Sequence, residues 1–126
     1  MPLLARILVV DDSNLIRQFV ARELTADGHT VLEARHGLEA LEIARDDQGL
    51  DLVITDLNMP IMGGLDLVRE LRRLPHLSST RLCFLTTEAS GSMRRLGLEA
   101  GADAWMEKPF RMSQLRETIE ALLTVR

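Results

Sequence analysis

Ile7-Leu8-Val9-Val10-Asp11-Asp12-Ser13 is a run of four apolar residues that stops abruptly on two acids. A strand with one wet face alternates apolar and polar residues, so an unbroken run describes a strand covered on both faces, as in a parallel sheet flanked by helices. Moving outward, the same kind of run returns at Thr30-Val31-Leu32, from Leu50 to Thr55, from Leu82 to Thr86 and at Ala104-Trp105-Met106. Between the runs lie residues at helical spacing: Leu15, Ile16, Phe19, Val20 and Leu24; Leu38, Leu41 and Ala44; Leu67, Leu71 and Leu74; Met112, Leu115, Ile119 and Leu122.

The expectation is strand then helix, five times over. That is an α/β fold with a doubly wound five-stranded parallel sheet, helices on both faces, in the flavodoxin-like order 2-1-3-4-5. Gly28 follows the first helix where a left-handed cap is wanted, and Pro75 is expected to stop the third. The fourth helix, Ser90 to Ala100, has the weakest apolar stripe, with Gly97, Ala100 and Gly101 at its end, and is expected to be loosely packed and quick to exchange its amides. The last helix is expected to run almost to Arg126.

The chain has 126 residues, 46% hydrophobic and 27% charged, the size and balance of a single domain spanning 1–126. Cys83, the one cysteine, sits in the apolar run Leu82-Cys83-Phe84-Leu85, which gives no disulfide framework and reads as a core thiol. No run reaches the roughly 18 uncharged apolar residues of a membrane helix, and no secretion signal opens the chain, so a cytoplasmic protein is expected. A formal net charge of −4 has the wrong sign for neutralising nucleic-acid phosphates, and three Phe, one Trp and no Tyr give no stacking platform. Of the 15 basic residues, Lys108 alone is lysine.

In a parallel sheet all strand carboxyl ends share one edge, and open sheets of this kind bind ligands there, where the strand order reverses. Strand 1 ends in Asp11-Asp12, strand 3 in Asp56, strand 4 in Thr86-Thr87 and strand 5 in Glu107-Lys108; strand 2, outside the switch point, ends blandly at Ala34. Three carboxylates on one edge repel each other unless a cation neutralises them or water solvates them. Magnesium takes one or two carboxylates together with phosphate oxygens, which suits Asp11 or Asp12 with Asp56, whereas the lack of His or Cys disfavours zinc. A carboxylate can also be a nucleophile toward phosphorus. Asp56 is the candidate, with Thr86 donating to one phosphoryl oxygen and Lys108 pairing with another.

These residues resemble the receiver domains of two-component response regulators, over nearly the whole chain. The matching pieces are Arg6-Ile-Leu-Val-Val-Asp-Asp-Ser13, Asp56 within Thr55-Asp56-Leu57-Asn58-Met59-Pro60-Ile61-Met62-Gly63-Gly64, Thr86, and Lys108-Pro109-Phe110. The resemblance implies phosphorylation of Asp56 by a histidine kinase or phosphotransfer protein. It also implies Mg2+ held by Asp12, Asp56 and the backbone carbonyl of Asn58, with Asp11 acting through water. Self-catalysed dephosphorylation would be tuned by Asn58 and Glu88. Members signal when the threonine moves toward the phosphoryl group and an aromatic residue three before the lysine turns inward, remodelling the face of helix 4, strand 5 and helix 5. Trp105 stands there in place of the usual Tyr or Phe; its bulk and its N–H leave open a fixed contact residue on the output face, so partner binding is expected to depend on it.

Plainer readings exist for single residues. Asp12 or Ser13 can simply cap the first helix, and Pro60, Gly63 and Gly64 can be turn chemistry. Three acids, a threonine and the single lysine on one edge require several such coincidences together. His29, His36 and His76 lack ligand spacing and are expected to be exposed or loosely packed, and Arg72-Arg73 and Arg94-Arg95 to be solvated, the second pair lying in the output face. A haloacid-dehalogenase phosphatase is disfavoured because Asp11-Asp12 are adjacent rather than two apart, and a flavodoxin-type electron carrier because two aspartates repel a phosphate. A phosphate-independent receiver-like scaffold is the remaining alternative. With no output domain in the chain, the signal is expected to leave by protein contact, as in stand-alone chemotaxis-type receivers, from a monomer or a phosphorylation-dependent dimer.

Overall fold

The computed structural model describes residues 3–124. Strands β1 (Arg6–Val10), β2 (Thr30–Ala34), β3 (Leu52–Thr55), β4 (Arg81–Thr86) and β5 (Ala104–Glu107) run parallel in the order β2-β1-β3-β4-β5. The intervening helices are α1 (Asn14–Ala26), α2 (Gly37–Asp46), α3 (Gly64–Arg72), α4 (Gly91–Ala100) and α5 (Met112–Thr124). This is the expected architecture. The final helix is described to Thr124; Val125 and Arg126 lie outside the described residues.

Alternation along each strand divides its residues between two cores, which explains the unbroken apolar runs. Leu8 and Val10 join Val53, Leu82 and Phe84 against Ala40, Leu41 and Ala44 of α2 and Leu67 and Leu71 of α3. Ile7 and Val9 join Ile54 and Leu85 against Val20 and Leu24 of α1 and Leu115 and Ile119 of α5. Each fully buried aliphatic side chain contributes about 1.5–3 kcal/mol. Cys83 belongs to the second core, and burial, reinforced by the charge of Asp103, pushes its thiol up to about 12. It is an inert core thiol at neutral pH.

Two helices are rotated from the sequence expectation. Ser13 caps α1, its Oγ accepting the Ile16 N–H, and from that start the helical period turns Arg17, Val20, Ala21 and Leu24 inward. Leu15 and Phe19, expected in the core, are 79% and 44% exposed. In α2 the buried residues are Gly37, Ala40, Leu41 and Ala44, and Leu38 faces out. Nor does Pro75 stop α3 directly. The helix ends at Arg72, and Pro75 opens a short 3-10 turn after an extended Leu74. Gly28 has the expected left-handed φ of +101°.

Several polar residues expected at a loose surface are tied to main chain. Arg72 is half-buried: Nη1 donates to the carbonyls of Leu77 (3.1 Å) and Thr80 (2.7 Å), Nε to that of Gly101 (3.0 Å), and Nη2 to Asp103 (3.0 Å). It joins the end of α3 to the loops before β4 and β5, whereas neighbouring Arg73 is exposed and, among the described residues, pairs with Glu70 alone. The three histidines are half-buried and do the same work. His29 Nδ1 accepts the Ala5 N–H at 3.0 Å, His36 Nδ1 caps α2 by accepting the Glu39 N–H at 3.2 Å, and His76 Nε2 lies 2.7 Å from Ala44 O.

Arg72→Met keeps the stem of the side chain but leaves these carbonyls without their donor. A loss of about 2–3 kcal/mol is expected in urea unfolding, against a change within about 0.5 kcal/mol for Arg73→Ala. Equal effects of the two substitutions would contradict the stitching role.

Candidate functional site

Strand register carries the acids to one place. Val10 is paired with Ala34 on one side and Thr55 on the other. The ladder then continues one residue further, with the Asp11 N–H on Ala34 O (3.1 Å) and the Asp56 N–H on Val10 O (3.0 Å). Two aspartates on neighbouring strands therefore leave the sheet side by side. On the far side Thr86 pairs with Glu107, and the Lys108 N–H continues that ladder onto Thr86 O at 2.8 Å. Ala34 ends β2 with a buried methyl group, as expected for the strand outside the switch point.

Oxygen atoms of Asp11, Asp12 and Asp56 lie within 4.8 Å of one another. Asp11 is buried, Asp56 half-buried and Asp12 exposed. Into this cluster comes Lys108, whose Nζ donates to Asp11 Oδ2 at 2.7 Å and to Asp56 Oδ2 at 3.0 Å. Burial of Lys108 works against its charge, but the hydrogen bonds and charges of Asp11 and Asp56 outweigh it and hold the ammonium above its usual range. Three carboxylates against one ammonium leave a formal excess of two negative charges. Hard oxygen donors with that excess fit a divalent cation of the magnesium class.

Asp11 and Asp56 are each held by their own loop. Asp11 Oδ1 accepts the Ser13 N–H at 2.9 Å. Asp56 Oδ1 accepts the Leu57 N–H at 2.7 Å, with the Asn58 N–H at 3.4 Å. The chain then doubles back so that Gly64 N–H reaches Leu57 O (2.8 Å), and a Cβ at Gly64 would collide with the carbonyl oxygen of Asp56. Only glycine permits that approach. Within the same loop the Met62 N–H returns to Pro60 O at 2.8 Å around Ile61, whose φ is +72°. A β-branched residue is poorly suited to that conformation, and Ile61 is 73% exposed. Nothing in the residue types announces this turn.

Thr86 is fully buried at the end of β4, and its Oγ1 accepts the Glu88 N–H at 3.2 Å, leaving its own proton to donate. Glu88 is gripped twice more, by the Ser90 N–H on Oε1 (3.1 Å) and by the Trp105 indole N–H on its carbonyl (3.2 Å). Its carboxylate is thus engaged at the start of α4, while Asn58 is exposed two residues beyond Asp56. Trp105 is 8% exposed, tilted against Phe84 with ring centroids 5.0 Å apart. The indole is therefore held inside the protein rather than on its open surface. The indole packs against α4 where Gly97, the single buried residue of that helix, leaves room.

Arg17 was not singled out from sequence. Its guanidinium is buried beneath the acids and donates to Asp11 O (2.9 Å), Asn14 Oδ1 (2.8 Å) and Glu33 Oε1 (3.1 Å). The available signal was its place at helical spacing with Val20 and Leu24 on a face that must be buried.

The model of the response regulator receiver domain family matches residues 7–120. A chemotaxis protein CheY homolog of Campylobacter jejuni is 37% identical over 119 residues, covering 94% of this chain and 92% of that protein. The response regulator MprA of Mycobacterium ulcerans is 40% identical over 118 residues, or 94% of this chain and 50% of its own length. Among solved structures, the chemotaxis protein CheY4 of Vibrio cholerae superposes with a TM-score of 0.90 at 37% identity, covering 96% of this chain and 100% of that one.

A Cβ at position 97 would stand 2.8 Å from Trp105 Cζ3 and 2.9 Å from Phe84 Cε2. Gly97→Ala therefore sets an overpacking cost of about 1–3 kcal/mol against about 1 kcal/mol gained in helix propensity. Emission of the one tryptophan is the sharper readout: a red shift is expected as the indole is displaced toward water. Unchanged emission would contradict the packing described.

Proposed function

Since the chain belongs to the response regulator receiver domain family of two-component systems, we propose that it is a phosphorylation-activated switch with Asp56 as its phosphoacceptor. The observation that carries this reading is the Lys108 ammonium bridging Asp11 Oδ2 and Asp56 Oδ2, with Asp12 alongside. A partner histidine kinase or phosphotransfer protein presents a phosphohistidine. A carboxylate oxygen of Asp56 attacks phosphorus, the P–N bond breaks, and the imidazole leaves with the bonding pair and takes a proton from water. Lys108 releases Asp56 for a phosphoryl oxygen while it keeps Asp11, and Thr86 turns its free proton to a second phosphoryl oxygen.

Asp11, Asp12, Asp56 and the backbone carbonyl of Asn58 are the groups that would hold Mg2+. When bound, the ion supplies positive charge against the phosphoryl oxygens. Exposed Asn58 lies where water must approach the acyl phosphate and tunes its hydrolysis; Glu88, with its carboxylate on Ser90, acts on it through the β4–α4 loop. The chain thereby assists its own phosphorylation and dephosphorylation without turning over a separate substrate.

Thr86, Glu88 and Trp105 form a hydrogen-bonded series from the acidic edge to α4. Motion of Thr86 is relayed along it to the face of α4, β5 and α5, where a downstream protein docks. Trp105 acts there through Gly97 and α4. We place residues 1–126 as one receiver domain working in the cytoplasm by protein contact, not on nucleic acid. No helix among the described residues is long and apolar enough to cross a membrane.

Intact mass after incubation with magnesium and acetyl phosphate tests the reading. One phosphoryl adduct is expected, absent from Asp56→Asn and from metal-chelated protein. An adduct that persists in Asp56→Asn would contradict the assignment, as would wild-type protein that takes no phosphoryl group from any donor and binds no magnesium.

A further inference from the structure

Arg17 sits on the buried face of α1 among Val20, Ala21 and Leu24, its side chain 7% exposed. An apolar side chain would fill that place without desolvating a charge, so what the guanidinium adds is its set of donors. Nε is given to Glu33 on β2, Nη1 to Asp11 O in the connection that carries the acids, and Nη2 to Asn14 Oδ1 at the start of α1. Asp11 is then fixed at four atoms. Its N–H is on Ala34 O, its carbonyl on Arg17, Oδ1 on the Ser13 N–H and Oδ2 on Lys108.

The Asp11 carbonyl belongs to the peptide that leads into Asp12. A peptide is planar, so the hydrogen bond that orients this oxygen also orients the Asp12 N and Cα. Among the described residues no hydrogen bond or ion pair holds the exposed Asp12 carboxylate itself. Its place over the cluster depends on that peptide plane. We propose that Arg17 is a positioning residue for the divalent-cation site, setting Asp12 through the main chain of Asp11. The inference rests on the acid cluster being that site. A lysine at position 17 would keep the charge, but a single ammonium cannot present a planar fork to three separated acceptors.

Calorimetric titration of magnesium, without any phosphodonor, into wild type, Arg17→Lys and Glu33→Gln tests this, with thermal unfolding measured in parallel. Arg17→Lys is expected to weaken the magnesium Kd by about tenfold, the usual scale for losing an outer-shell partner, and Glu33→Gln, which keeps an acceptor for Nε, to leave it little changed. An Arg17→Lys protein that melts earlier yet binds magnesium like wild type would show a structural role only and overturn the proposal. Wild type that binds no magnesium would instead refute the metal-site reading beneath it. Should Arg17→Lys not fold, the wild-type Arg17 Nε–H resonance provides the readout. It is expected to shift on magnesium titration with the midpoint of the Asp12 amide, and an Nε–H signal indifferent to saturating magnesium would overturn the proposal.

Discussion

The parallel register forces carboxylates together, and the single ammonium of Lys108 makes that tolerable. Val10 and Thr55 are paired, so the residues that follow them, Asp11 and Asp56, leave the sheet side by side whatever charge they carry. Buried carboxylates that close repel strongly in a medium less polar than water. Lys108 reaches both from β5 across the switch point, yet one positive charge does not balance three negative ones. The remaining excess is what a divalent cation would neutralise.

What surrounds the edge keeps it in place without adding to the charge imbalance. Arg17 is paired with Glu33 and contributes directional donors under the loop of β1. Gly64 lets the chain after Asp56 fold back against its own carbonyl. On the β4–β5 side of the edge, Glu88 offers its N–H to Thr86 and its carbonyl to Trp105, so two side chains on neighbouring strands hold one residue of the connection into α4. Of α4, Gly97 alone is buried, with Met93 and Ala100 partly buried against the core.

The fold and the acidic edge were legible in the sequence for one reason. Strands covered on both faces are unbroken apolar runs, and the residues at or just past the end of each run must lie on the common carboxyl edge, which placed Asp11, Asp56, Thr86 and Lys108. The misread residues share a cause as well. Arg72 and the three histidines bond mainly to main-chain groups, which every residue has and no pattern marks, and Arg17 adds one such bond, to Asp11 O, to those it gives the side chains of Asn14 and Glu33. Leu15 and Phe19 look like core and Arg17 like surface until the Ser13 cap fixes the phase of α1. Gly97 and Trp105 were both visible, but their complementarity crosses space rather than sequence, and so was the Glu88 carbonyl that receives the indole N–H.

The central claim is electrostatic: Lys108 partly neutralises an acidic edge whose remaining charge recruits the metal. Magnesium affinity of Lys108→Met, measured by calorimetry beside wild type at low ionic strength, tests it most directly. Removing the ammonium raises the excess from two negative charges to three, so the account predicts tighter binding by about 1 kcal/mol, roughly fivefold, even for a partly solvated site. Affinity that is unchanged or weaker in Lys108→Met would contradict it.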